Sequence, residues 1–266
     1  MRERKIQGRK QKRGIRAAAW CLAVMLLLGA ALTPVGTVFA APPGGIWDGE
    51  SVSMPKTDEN GTFLISTGAE LAWFAKEVNS GNGRINARLE KNIYLNNYNT
   101  RYLWMMIGDT TAHPFRGSFD GNGKRINYMR VRITTDDMSR PYGGLFGVID
   151  GGVVKDLTVM GSVEHAFGNY GKFGAYDETA CGSGAIAGYL KNGQIIRCTN
   201  KTTTTMEGET MNRNAGGIVG LCKGQVIRCV NQGVITTQVH MAQNQIGGIV
   251  GLLYGEQAQI LYSVNK

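Results

Sequence analysis

Histidine, proline and long apolar runs are all scarce in this chain of 266 residues. The three histidines are His113, His165 and His240, and none belongs to an HExxH zinc motif. Acidic residues rarely meet. In the strand-rich part only Asp136-Asp137 and Asp177-Glu178 are adjacent, and neighbours on a strand point to opposite faces. Neither pair then shares a cleft, as the two carboxylates of a glycosidase must. Cys181 has no evident His and Asn partners to make it a nucleophile. The expectation is a chain that is not an enzyme, with no catalytic, cofactor-binding or metal-ligating residue and no cofactor.

What is present begins with an export signal. Residues 2–16 carry eight Lys or Arg against one acid, Glu3. An uncharged apolar run, Ala17 to Leu32, follows; its 16 residues fall short of the ~20 that span a bilayer. Pro34 and then Val38-Phe39-Ala40 complete the pattern that signal peptidase reads. An uncleaved signal-anchor is the alternative. No later run approaches membrane-spanning length, so membrane contact is expected only through the signal peptide during export.

The signal also carries most of the charge. Of 29 basic and 20 acidic residues, it holds eight and one, which leaves 21 against 19 from Ala41 onward. The net charge of +9 becomes +2, which removes the electrostatic case for a nucleic-acid partner.

From Ala41 the chain is glycine-rich and repetitive. Gly143-Gly144-Leu145-Phe146-Gly147 recurs as Gly184-Ala185-Ile186-Ala187-Gly188, Gly216-Gly217-Ile218-Val219-Gly220 and Gly247-Gly248-Ile249-Val250-Gly251. The copies start 41, 32 and 31 residues apart. Each reads as a small-residue strand, then a turn usually closed by glycine (Gly152, Gly193, Gly224), then a β-rich segment. No copy shows a 3.6-residue apolar period. Copies too short to bury their own faces must stack and share a core, each strand pairing with its equivalent in the next. The fold class is therefore all-β: a right-handed parallel β-helix with one N-terminal capping α-helix, the handedness resting on the family likeness below.

Stacking gives the columns meaning. Val154, Ile195 and Val226 fall in one; Leu157, Cys198 and Cys229 in another; Ile149, Leu190, Cys222 and Leu253 in a third. Three of the four cysteines after residue 40 thus occupy aliphatic positions and read as core filling. A Cys198–Cys229 disulfide between coils ~4.8 Å apart is the alternative. Asn200, Asn231 and Asn265 form an amide ladder, and Arg197 and Arg228 stack with Asp156 as a solvated row.

Ahead of the repeat, Thr67-Gly68-Ala69-Glu70 is a capping box. Leu71, Phe74, Ala75 and Val78 mark one helical face, and Gly81 is the stop. Strand-like pieces follow at Ile85–Leu89 and Ile93–Leu95. The Asp120–Gly123 cluster reads as a turn, since it lacks the ligand spacing of a calcium loop.

Trp47-Asp48-Gly49, the Ile65–Val78 segment, Phe115-Arg116-Gly117-Ser118-Phe119-Asp120-Gly121-Asn122-Gly123 and the Gly-Gly-Ile-Val-Gly copies followed by Cys-x-Asn together resemble bacterial surface proteins with GLUG repeats. The resemblance covers nearly all of the chain from Ala41. It implies an extracellular right-handed β-helix of the kind found in adhesin-like proteins and beside the catalytic domain of IgA-cleaving metallopeptidases. It supplies no catalytic residues. The organisation expected is a signal peptide (1–40), an N-terminal cap with the first coils (41–135), and GLUG-type repeats (136–266) truncated at Lys266, without the surface anchors usual in the family. Other parallel β-helices are lyases and hydrolases, yet no Gly-His-Gly or Arg-Ile-Lys pattern of the pectin-cleaving kind is present.

The functional expectation is a secreted or cell-surface adhesin-like module with a structural or binding role toward a glycan or protein. The alternative is the non-catalytic β-helix portion of a larger extracellular peptidase or glycan-degrading enzyme. The 41-residue spacing reflects an insertion, Glu164 to Gly182, carrying Phe167, Tyr170, Phe173 and Tyr176 among glycines. Solenoid insertions loop out on one face, so these rings are candidates for partner binding; they could equally fold back onto the solenoid.

Overall fold

The computed structural model describes residues 45–134, 141–166, 181–207, 213–238 and 244–266. Strand is the dominant regular structure of its described part, beside one helix. The strands lie in three sheets that the chain visits in rotation. One pass runs Tyr142–Gly143, Phe146–Lys155, Thr158–Ala166; the next runs Cys181–Gly184, Ala187–Ile196, Thr199–Glu207; the next opens with Arg213–Gly216 and Val219–Cys222. Each strand pairs in parallel with its counterpart in the following pass. Parallel neighbours require a long connection. Here the other two sheets supply it, where most parallel folds use a helix. Among the described strand pairs only Lys56–Thr57 with Phe63–Ile65 is antiparallel.

The register matches the columns of the sequence. Leu190 lies opposite Ile149 and Cys222, and Ile195 opposite Val154 and Val226. All are buried, in an apolar cluster that runs from Trp47 to Val250. The Asn ladder is also present: Asn200 Nδ2 donates to Asn231 Oδ1 at 2.7 Å, and Asn231 Nδ2 to Asn265 Oδ1 at 2.7 Å. Each inner carbonyl oxygen accepts a local backbone N–H as well, from Thr202 or Gly233. Buried amides are thereby satisfied without water.

Cys181, Cys198, Cys222 and Cys229 are buried thiols. The Cys229 Sγ lies 3.5 Å from both Ile195 O and Ile227 O, so its single proton has a backbone acceptor on either side. Burial pushes the Cys181 and Cys222 thiols up to about 12 and Cys198 well above its usual range. Those three buried, protonated thiols are packing groups and poor nucleophiles, whereas the contact with Cys198 holds the Cys229 thiol below its usual range.

Two local expectations need correction. The Gly-Gly-Leu-Phe-Gly copies are corners, not strands: Gly143 ends one strand and Phe146 begins the next. The reason is close backbone approach, since a Cβ on Gly216 would stand 1.9 Å from Val219 O. Gly152 and Gly193 are not turns either. They sit within the long strands Phe146–Lys155 and Ala187–Ile196, at a register shift that absorbs an extra residue. Sharp turns fall instead at Asp156, Arg197, Arg228 and Tyr262, each left-handed with φ between 52° and 55°. Their side chains point outward, and Arg197 grips Asp156 through Nε and Nη2, both at 2.6 Å. The Asp156 carboxyl is held below its usual range by that contact.

Helix α1, Gly68–Asn79, is capped as its sequence requires. Glu70 N donates to Thr67 Oγ1, and Glu70 Oε2 accepts from Ser66 and Thr67. Leu71, Phe74, Ala75 and Val78 are buried. Phe74 packs on Phe115 and Phe119, with ring centroids 5.9 and 5.8 Å away. At its far end Asn79 donates to Met106 O and accepts from Gly108 N, which ties the helix to the segment approaching the repeats.

Candidate functional site

Phe167, Tyr170, Phe173 and Tyr176 lie outside the described residues. Three other places carry concentrated polar or aromatic chemistry.

The first is internal. Ser183 Oγ and His165 Nδ1 are 2.5 Å apart, both fully buried, close to Cys181 and Arg213. Burial, and then the Arg213 charge, push the His165 imidazole down to about 3. The pair resembles a nucleophile and its base, but a base so depressed is a poor proton acceptor near neutral pH. His165 lies in register between Ile133 and Met206, both facing the interior. The contact is thus a polar rung inside the stack.

The second is a shallow depression of about 340 Å³ beside Asp120, Asp156 and Arg197. Both carboxylates are already engaged: Asp156 by Arg197, and Asp120 by Lys155 at 2.9 Å. Among the described residues no group of three or more His, Cys, Asp or Glu is placed to hold a metal.

The third is aromatic and open. Tyr98 is 85% exposed, with its ring edge-on to Tyr128 at 5.3 Å. Tyr94 stands tilted to Tyr128 at 6.5 Å. The neighbouring Tyr98 hydroxyl, with partial desolvation, holds the Tyr128 phenol above its usual range. Tyr98 and Tyr128 border a depression of about 290 Å³, lined further by Thr100, Arg101, Arg130 and Ser162.

Local sequence builds this site. Tyr128 breaks the alternation of strand Arg125–Thr134, where pairing shifts register between Ile126 and Met129. Its φ of 55° turns the ring outward. On the facing strand Gly161 permits the bulge, since a Cβ there would stand 2.0 Å from Met129 O. The loop carrying Tyr98 is fastened by Asn96, which is 3% exposed. Asn96 Nδ2 donates to Tyr102 O and Tyr128 O at 2.9 and 3.0 Å, and its Oδ1 accepts from Tyr102 N at 2.7 Å. Asn97 Oδ1 accepts from Asn99 N and Thr100 N, and Asn97 N donates to Thr100 Oγ1. An exposed tyrosine on so braced a loop is presented to solvent with little conformational freedom left to lose on binding.

Sequence reading missed this site. The signal available was the polar stretch Asn96-Asn97-Tyr98-Asn99-Thr100-Arg101, which sets a tyrosine among residues that cannot bury it.

No family model and no curated protein matches the chain. Among solved structures it is similar to a "putative immunoglobulin A1 protease" from Bacteroides ovatus. That match has 13% identity and a TM-score of 0.44, and covers 80% of this chain and 77% of that one. So loose a likeness carries no inference about activity or partners.

Proposed function

We propose that residues 41–266 are an exported right-handed parallel β-helix that serves as an adhesin-like binding module for an extracellular saccharide. The observation that carries the reading is the Tyr98–Tyr128 depression. A sugar presents a C–H face and a rim of hydroxyls. An exposed ring offers an apolar platform for the face, and the flanking hydroxyls and guanidinium groups offer hydrogen-bond partners for the rim. The export signal of residues 1–40 supplies the compartment, and the near-neutral charge behind it favours no polyanionic nucleic acid. The sugar-facing role needs no catalytic group. The likeness of the repeats to GLUG-bearing surface proteins points the same way.

A glycan array probed with the chain from Ala41 tests the reading. Binding is expected to at least one saccharide class and to fall about tenfold or more in Tyr98→Ala, whose exposed ring supports no core packing. Tyr170→Ala and Tyr176→Ala should leave binding within twofold. Binding lost in the latter pair and kept in Tyr98→Ala would move the site to the insertion and defeat the assignment.

A further inference from the structure

The charge around the Tyr98–Tyr128 depression is one-sided. Arg101 and Arg130 line it, and among the described residues no Asp or Glu does. Arg101 is exposed and makes no ion pair with another described residue. Among the described residues Arg130 has one carboxylate within reach, Glu164, at 4.0 Å, whereas Arg132 Nε approaches the same carboxylate at 3.1 Å. Glu164 therefore belongs mainly to Arg132. With Glu164 shared between Arg132 and Arg130, the depression keeps a net positive charge beside its aromatic platform.

The neutral polar groups sort themselves too. Asn96 has both amide ends engaged, and Asn97 Oδ1 already accepts twice. The hydroxyls of Thr100 and Ser162 remain for a ligand; Thr100 Oγ1 accepts one backbone N–H and keeps its proton to donate. Donors outnumber acceptors at the rim. A ligand rich in acceptors and carrying negative charge matches that balance, and a guanidinium fork fits a carboxylate or sulfate oxygen pair better than a lone hydroxyl.

We infer that this site selects an acidic saccharide, one bearing carboxylate or sulfate groups, with the sugar face on Tyr98 and the anion between Arg101 and Arg130. The inference rests on the saccharide-binding reading above and adds the chemical class of the ligand.

Calorimetric titration of the chain from Ala41 tests it with three probes: oligogalacturonate (carboxylated), a heparin hexasaccharide (sulfated) and maltohexaose (neutral). At least one acidic probe is expected to bind tenfold or more tighter than maltohexaose. The preference should shrink as salt rises from 50 to 500 mM, because exposed charges are screened. Arg101→Gln, on an exposed side chain, should bring the acidic-to-neutral ratio toward one with the melting temperature unchanged. Tyr98→Ala should weaken acidic and neutral probes together. Which acidic probe wins identifies the anion as carboxylate or sulfate.

Equal binding of neutral and acidic probes, all lost in Tyr98→Ala, would overturn the acidic inference and leave the saccharide reading intact. Acidic binding that survives Tyr98→Ala would be general attraction to a basic surface and would also overturn it. No binding of any probe, together with a blank array, would remove both.

Discussion

Phe119→Ala is expected to cost about 3–5 kcal/mol of unfolding free energy, the range for a large aromatic removed from a packed core. Phe119 is fully buried. Its ring lies 5.8 Å from Phe74 of helix α1 and 5.5 Å from Phe146 at the start of strand Phe146–Lys155. Phe115 closes the set, 5.9 Å from Phe74 and 5.1 Å from Phe146. Four rings thus join the helix to the first full pass of the sheets. Removing the Phe119 ring leaves a cavity that the tethered helix cannot collapse to fill, because Asn79 pins its far end to Met106 and Gly108. Urea unfolding of the chain from Ala41, followed by circular dichroism, measures the loss. Leu103→Ala is the control; Leu103 is 51% exposed, and such surface changes usually stay within ~0.5 kcal/mol. A loss below about 1 kcal/mol in Phe119→Ala would mean that the rings are not the joint between helix and sheets.

The second large effect is acid sensitivity through His165. In the folded chain its imidazole is held down to about 3 by burial and by Arg213, against 6.5 as the ordinary value. The folded state therefore favours the neutral ring, and the unfolded state binds the proton more readily. The stability is fully present above pH 6.5 and drains as pH falls from there toward 3. Well below 6.5 the slope is about 1.4 kcal/mol per pH unit, so that about 2–3 kcal/mol is gone by pH 4.5. Carboxylates held low by their partners, such as Asp156, lose their own contribution only at lower pH, which separates the two effects. His165→Gln removes the titrating group and should flatten stability between pH 6.5 and 4.5 in the same urea assay. An acid limb unchanged by that substitution would show that His165 is not buried neutral.

Much of this architecture was legible because its causes are local or strictly periodic. The capping box at Thr67 and Glu70 needs only residues three apart. The Asn200–Asn231–Asn265 ladder and the Ile149–Leu190–Cys222 column follow from aligning the copies, since a stacked repeat places equivalent residues on top of one another. The corners were misread because their glycines answer to backbone in neighbouring passes. Gly184, for example, would set a Cβ 2.6 Å from Ile218 O, and no period in its own segment announces that. The aromatic depression was illegible for a related reason. Tyr128 turns outward only because pairing with Thr158–Ala166 slips beside it, and Tyr98 is presented only because Asn96 spans from its own loop to Tyr128 O. Both depend on contacts about 30 residues apart in sequence, as the Asn96–Tyr128 separation of 32 shows.

The most direct test of the account is where a saccharide lands. Amide-resolved NMR of the chain from Ala41, titrated with a saccharide that binds on the array, should shift resonances of residues 96–101, 128–130 and 161–162 together. Shifts confined to residues 164–182, with Tyr98 and Tyr128 unmoved, would contradict it and return the binding role to the insertion.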